Sequence, residues 1–391
     1  MRSPGLGPHR ARVRAIALRG RLLYGARVGR IALITGTPGG REAALAEELE
    51  RAGWAVRHAV FMGGEIPDLR AEAANADAVF HVGVRTSREE TPERRAGQEA
   101  AATAASALAA RDAGARRFVL LSTASVYGHP RSLPCAEGDP KNPRTFAERA
   151  RWGAERAAWR AFRDGAPLTV LRPAILYGPG MRGGAIRALS LIALFSLGRR
   201  RIPIIRRGPV THLCHIQDLA RAAVHVAEHP DDRDVLGRAF NVGDDAPLPL
   251  AEHLSAALAA MGYSPGRVLP YSPRVAALLL WLVRSIPDRF LFMPVNRRLA
   301  GAWGRIASRS HASPALAPRL DRESLHWMAA DHYYDTRRLS LLKDLDLVAV
   351  VRALAGAPSA ADALAGVPSA KRPAVEKALA RLVETGFVQP R

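Results

Sequence analysis

Between residues 30 and 171, short runs that are apolar at nearly every position alternate with longer segments in which apolar residues recur every third or fourth position. Arg30–Gly36, Trp54–Phe61, Asp77–Gly83, Arg117–Leu121 and Leu168–Leu171 belong to the first kind and read as strands covered on both faces. Arg41–Arg51 belongs to the second: Ala43, Leu45, Ala46, Leu49 and Ala52 form one helical stripe, and Gly53 follows as a natural C′ residue. Pro67–Ala76, Gln98–Ala113 and Pro143–Arg163 supply the remaining helices. This alternation predicts an α/β fold with a doubly wound parallel sheet. A later strand at Phe240–Gly243 and a helix at Leu250–Met261 extend it, with a smaller C-terminal lobe drawn from residue 178 onward. The organisation expected is a basic tail (1–29), a Rossmann-like core (30–178), a mixed segment completing the sheet and forming a substrate lobe (179–345), and a C-terminal helical segment (346–391).

The first strand breaks into Thr35-Gly36-Thr37-Pro38-Gly39-Gly40 before the first helix. Strand, glycine turn and helix in that order make a phosphate cradle: glycines let the backbone approach a pyrophosphate, and the helix start offers unpaired N–H groups. The third glycine of the usual spacing is Glu42, whose carboxylate would repel a pyrophosphate if it faced the cradle. The second strand closes on Phe61-Met62-Gly63-Gly64, with Glu65 the first acid, so this reading leaves NAD and NADP open. His81, closing a buried strand, is expected to be a packed, hydrogen-bonded residue. Ser122, Thr123 and Tyr127 fall beyond the carboxyl end of the central strand, where ligands of such sheets sit.

Charge changes this picture little. The net charge of +21 rests on 57 basic residues against 36 acids, but only Lys141, Lys343, Lys371 and Lys377 are lysines. The arginines are scattered over an alanine-rich background without a dense basic block, which argues against nucleic-acid binding. Residues 1–29 hold seven arginines and no acid, with apolar runs too short for a signal-peptide core. Cys135 and Cys214 are too few for a disulfide framework or a metal site, which makes a reducing, cytoplasmic setting the expectation.

Five pieces in order carry a resemblance: Thr35-Gly36-x-x-Gly39, Asp77-x-Val79-Phe80-His81, Ser122-Thr123-x-x-Val126-Tyr127-Gly128, Arg172-Pro173 with Tyr177-Gly178-Pro179, and His215-Ile216-Gln217-Asp218 opening a helix. Over residues 30–345 the chain resembles the extended short-chain dehydrogenase/reductase family, the NAD-dependent epimerases and dehydratases with the 3β-hydroxysteroid-dehydrogenase-like enzymes. The resemblance implies an NAD or NADP cofactor held by Gly36, Thr37, Pro38, Gly39, Gly40, Val82, Gly83, Ser122, Arg151 and Pro173. It implies Thr123 as the catalytic hydroxyl, Tyr127, Arg172 and Tyr177 on the substrate side, a possible homodimer and no metal. The family's Tyr-x-x-x-Lys pair, counted back from Glu155, falls on Ala147 and Arg151, and Glu99 replaces its helical asparagine. Arginine can hold a ribose hydroxyl or an oxyanion but is too basic to shuttle protons near neutrality.

Three stretches keep alternatives open. Arg182, Arg187, Arg199, Arg200, Arg201, Arg206 and Arg207 would suit a diphosphate or form a solvated face. Val275–Val283, flanked by Arg274 and Arg284 and followed by Phe290-Leu291-Phe292-Met293, reads as a buried helix, a lid over an apolar substrate, or a membrane-surface contact. Asp344–Val388 has the rhythm of a small winged-helix module, though the family's ordinary terminal helices are the favoured reading. The functional expectation is an oxidoreductase or epimerase/dehydratase acting on a small-molecule hydroxyl or carbonyl. The alternatives are a catalytically silent NAD(P)-binding partner protein and a membrane- or DNA-contacting regulator.

Overall fold

A computed structural model describes residues 29–61, 66–84, 91–181, 201–260, 264–287, 290–310 and 330–342. The basic tail, Arg182 to Arg200 of the arginine cluster, and the stretch 346–391 lie outside them.

The first strand, β1 (Arg30–Gly36), runs into α1 (Gly40–Arg51) and back through β2 (Trp54–Val60). The chain then crosses to the other side of β1, passing α2 (Leu69–Ala73), β3 (Ala78–His81), α3 (Pro92–Asp112), β4 (Arg117–Leu121), α4 (Phe146–Arg163) and β5 (Leu168–Pro173). Short strands β6 (Ile175–Tyr177), β7 (Arg201–Ile205), β8 (Val210–Thr211) and β9 (Leu213–His215) precede α5 (Ile216–Glu228). A helical turn, α6 (Asp232–Val235), leads to β10 (Arg238–Val242). The main sheet has the order β10-β5-β4-β3-β1-β2, every pair parallel. This is the doubly wound sheet read from the alternation of apolar runs, and its switch point lies between β1 and β3.

Strand side chains alternate between two cores, as the pleat requires. Ala32, Ile34, Phe80, Val119 and Leu171 pack under α1 and α5, where Leu45, Leu49, Leu219 and Ala223 meet them. Leu33, Val79, Phe118, Leu120 and Val170 face α3 and α4 through Ala107, Ala110, Ala158 and Ala161. Small alanines let α3 and α4 lie close over the sheet. His215 caps α5 by accepting the Gln217 amide at 3.4 Å, so the quoted His-Ile-Gln-Asp run does open a helix.

The smaller lobe contains β11 (Leu248–Pro249), α7 (Leu250–Ala260), β12 (Ser264–Leu269), α8 (Pro273–Ser285) and α9 (Phe292–Ser310). Strands β7 and β12 pair in parallel beside Ile202 and Leu258. The buried-helix reading of residues 275–283 is overturned: Val275, Leu278, Trp281 and Leu282 are exposed. Finally α10 (Arg337–Leu342) packs on β10, where Arg338 donates to the Ala239 carbonyl at 3.2 Å.

Candidate functional site

At the switch point β1 and the loop after β3 touch. Gly36 has φ of +130°, and a Cβ there would lie 2.6 Å from the Gly83 carbonyl oxygen and 2.8 Å from Val82. The Thr37 amide donates to that same Gly83 carbonyl at 3.0 Å. Only glycine fits Gly36, and Val82 and Gly83 wall the turn on the β3 side. Gly40 is as crowded, 2.7 Å from the backbone of Gly180 for an added Cβ. Gly39 differs: its backbone is extended, and a Cβ would meet nothing within 4 Å. Helix α1 starts there with no side-chain cap. Uncapped N–H groups beside open space are what a pyrophosphate needs.

Two guanidinium groups stand over Gly83. A Cβ on Gly83 would lie 3.3 Å from Arg41 Nη2 and 3.4 Å from Arg151 Nη1. Arg151 pairs with Glu99 across from α3. Burial, then the neighbouring Arg151 charge, pushes Arg41 down to about 10, and Glu99 opposes them. Arg41 remains cationic near neutrality, and two guanidinium groups against the one carboxylate of Glu99 leave this cluster beside Gly83 net positive. The Glu42 carboxylate pairs instead with His58 Nδ1 on β2 at 2.8 Å.

His81 lies beneath this cluster, fully buried. Its Nδ1 is 2.9 Å from Thr35 Oγ1 and 3.2 Å from Ser106 Oγ. Ser106 donates to the Ala102 carbonyl and Thr35 to Ser106 or the Phe80 carbonyl, so the network assigns the ring proton to Nδ1. Nε2 is a buried acceptor without a hydrogen-bond partner. Burial first, then Arg41 and Arg151, pushes His81 down to about 3, so the ring is neutral. It is the packed residue expected.

Beyond β4 and β5 the candidate residues are engaged by the protein itself. Tyr127 is completely buried; its hydroxyl donates to Asn241 Oδ1 at 2.8 Å and accepts from Arg172 Nη1 at 2.8 Å. Burial raises its pKa well above the usual tyrosine range. Arg172 is spent on Glu155, at 2.6 Å, and on the Glu137 carbonyl. Ser122 donates to Glu155 Oε2 at 2.7 Å and Trp159 to Oε1 at 3.1 Å. Tyr127 and the bonds of Arg172 are thus satisfied by protein partners, as a buried charge pair requires, and Arg172 also lines a cavity with Glu137, Lys141, Trp152 and Trp159. Ser122 can offer a cofactor only its lone pairs.

Thr123 is half-buried and accepts the Ser125 amide at 3.2 Å, which leaves its hydroxyl proton to donate. Pro173 ends β5 beside Val242. Pro38 is exposed at the cradle lip. Tyr177 sits further out, 5.0 Å from the His215 ring in an edge contact, its pKa raised by burial and by Asp244. Ala147 is exposed on α4, one turn before Arg151. Sequence reasoning missed Arg41: in an arginine-rich chain nothing marked it, although its place one residue into α1 was available. Among the described residues no cluster of three or more His, Cys, Asp or Glu is placed to hold a metal.

Residues 32–243 match the NAD dependent epimerase/dehydratase family. With more than half of the sequence covered, the chain belongs to that family, and its cofactor is NAD or NADP. Residues 330–389 match a different one, the peptide chaperone MftB family. No curated protein matches the sequence. Similar solved structures include MoeE5 in complex with UDP-glucuronic acid and NAD, at 24% identity and TM-score 0.51, covering 62% of this chain and 86% of that one. A UDP-N-acetylglucosamine 4-epimerase from Bacillus cereus aligns at 18% identity and TM-score 0.52, covering 62% and 86%. A putative epimerase from Burkholderia cenocepacia aligns at 23% and 0.51, covering 64% and 86%. They share the fold of this chain.

Proposed function

We propose that the protein is an NAD(P)-dependent oxidoreductase or epimerase/dehydratase of the extended short-chain dehydrogenase/reductase type, acting on a hydroxyl or carbonyl without the usual Tyr-x-x-x-Lys pair. The observation that carries this reading is the cradle itself: the uncapped start of α1, open space at Gly39, and Arg41 and Arg151 held over Gly83. When bound there, the nicotinamide supplies or accepts hydride. Thr123 donates a hydrogen bond to the substrate oxygen, and Arg151 stabilises negative charge developing on it. Arg151 holds its proton throughout, so proton exchange falls to substrate or solvent, and turnover is slow.

Titrating the full chain with NAD and NADP, then following nicotinamide absorbance with UDP-glucose, UDP-glucuronic acid and a panel of apolar secondary alcohols, tests this. Cofactor binding with turnover supports it. Binding without turnover on any substrate supports the silent dinucleotide-binding alternative, and failure of both cofactors to bind at millimolar concentration overturns both readings. Turnover gained by Ala147→Tyr with Arg151→Lys would identify the missing pair as the limiting feature.

A second reading concerns the substrate's carrier. The peptide-chaperone match begins inside the Rossmann body, where His332 bridges to Thr211, Tyr334 to Cys135, and Arg338 binds the β10 edge. This supports a C-terminal peptide-binding module, in place of the family's ordinary ending, that presents a peptide-borne hydroxyl or carbonyl. Capture of a peptide by the full chain, identified by mass spectrometry and altered in mass on adding NAD, supports it; turnover confined to free small molecules counts against it.

A further inference from the structure

Helix α8 shows solvent an apolar face. Val275, Leu278, Trp281 and Leu282, with Phe290 and Met293 just beyond, are each 45–65% exposed. At about 100° per residue, the four on α8 fall within roughly 120° of arc, a continuous stripe. Ala276 and Val283, on the opposite side, are half-buried. These six are nearly half of the large apolar residues exposed among the described residues, gathered into less than twenty positions of sequence.

The sequence around the stripe is strongly basic: residues 273–310 hold seven arginines and one acid, Asp288. Helix α8 and helix α9 themselves contain no acid, and Arg274, Arg297 and Arg298 are exposed. The whole chain carries +21. At 13 residues, α8 is about 20 Å long, well short of the roughly 30 Å of a bilayer core. No helix among the described residues is long and apolar enough to cross a membrane. A short helix with an exposed aromatic and aliphatic stripe, edged by arginine and free of acid, has the composition of an element lying in a lipid interface.

We propose that α8, with Phe290 and Met293, is a monotopic docking face that lays its apolar stripe into an anionic lipid surface. Charge complementarity favours lipid over a second copy of the chain. A self-complementary dimer through this face would bring two strongly basic segments together, with Asp288 the one acid of residues 273–310 in each copy to offset seven arginines. Anionic headgroups supply the missing charge, and the acyl boundary receives the leucines and tryptophan.

Co-sedimentation of the full chain with phosphatidylcholine vesicles, with and without phosphatidylglycerol, tests the proposal. Binding to the mixed vesicles is expected, weakened by salt and by Arg297→Glu with Arg298→Glu, and at least about tenfold weaker in Leu278→Glu with Leu282→Glu. Thermal unfolding and NAD titration of each variant show whether the fold is intact. Failure of the unmodified chain to bind mixed vesicles, or full binding by a folded Leu278→Glu/Leu282→Glu variant, overturns it. So does light scattering that shows a dimer converted to monomer by those substitutions without any vesicle binding, since a second copy then covers the stripe.

Discussion

The carboxylate of Glu42 lies 2.8 Å from Nδ1 of His58, a contact that joins the first turn of α1 to β2 and turns the acid toward β2. The residue that replaces the third glycine of the cradle is thereby occupied. Both side chains are partly exposed, so the pair contributes only about 0–1 kcal/mol. Replacing Glu42 by Gln should leave NAD affinity within about twofold, measured by calorimetry; a gain of tenfold would show that the carboxylate opposes the pyrophosphate after all.

Gly36 and Gly39 should separate folding from binding. An alanine at Gly36 meets the Gly83 carbonyl and a left-handed backbone, and should destabilise the protein by about 2–4 kcal/mol in urea unfolding. An alanine at Gly39 meets only open space in the free protein. Its stability should stay within about 0.5 kcal/mol of the parent while NAD affinity falls by about tenfold or more. Equal affinity in Gly39→Ala would mean that the dinucleotide does not pass beside this turn.

The Glu155–Arg172 pair should be costly to break from one side. Glu155→Gln leaves a buried guanidinium without its counter-charge and should cost about 3–5 kcal/mol. Tyr127→Phe removes one hydroxyl bonded to both Arg172 and Asn241 and should cost about 1–3 kcal/mol. Neither residue touches the cradle, so any folded fraction should bind NAD normally.

Stability should depend on acid through His81. Its folded value of about 3 lies below the ordinary 6.5, so between those values the unfolded chain binds the extra proton. Its contribution to stability is complete above pH about 6.5 and is lost as pH falls toward 3. His332, pushed down to about 4 chiefly by burial, acts in the same direction. Urea midpoints measured from pH 4 to 7 should rise with pH, and the slope should flatten in His81→Asn; an unchanged slope would place the acid sensitivity elsewhere.

The sheet was legible because parallel strands covered on both faces leave nearly unbroken apolar runs, and β1, β3, β4 and β5 all show them. The cradle was legible for a related reason: Gly36 answers a local backbone need. The partners of Tyr127, Arg172 and Ser122 were not legible, because residue type and strand end do not show what arrives from elsewhere. Glu155 lies 33 positions from Ser122, and Asn241 lies 114 from Tyr127. Those partners engage groups that residue type alone marks as candidates for a site. Periodicity likewise predicted that α8 is a helix but could not tell a buried stripe from an exposed one.

Gly40 meets Gly180 so closely that a single methyl on either would push the chains apart. One belongs to the helix that starts at the cradle, the other to the loop leading out of β6 toward the smaller lobe. With no side chain between them, neither position can take a larger residue without displacing the other segment. The start of the cradle helix is therefore constrained in sequence by a loop far along the chain, and the two can only change together.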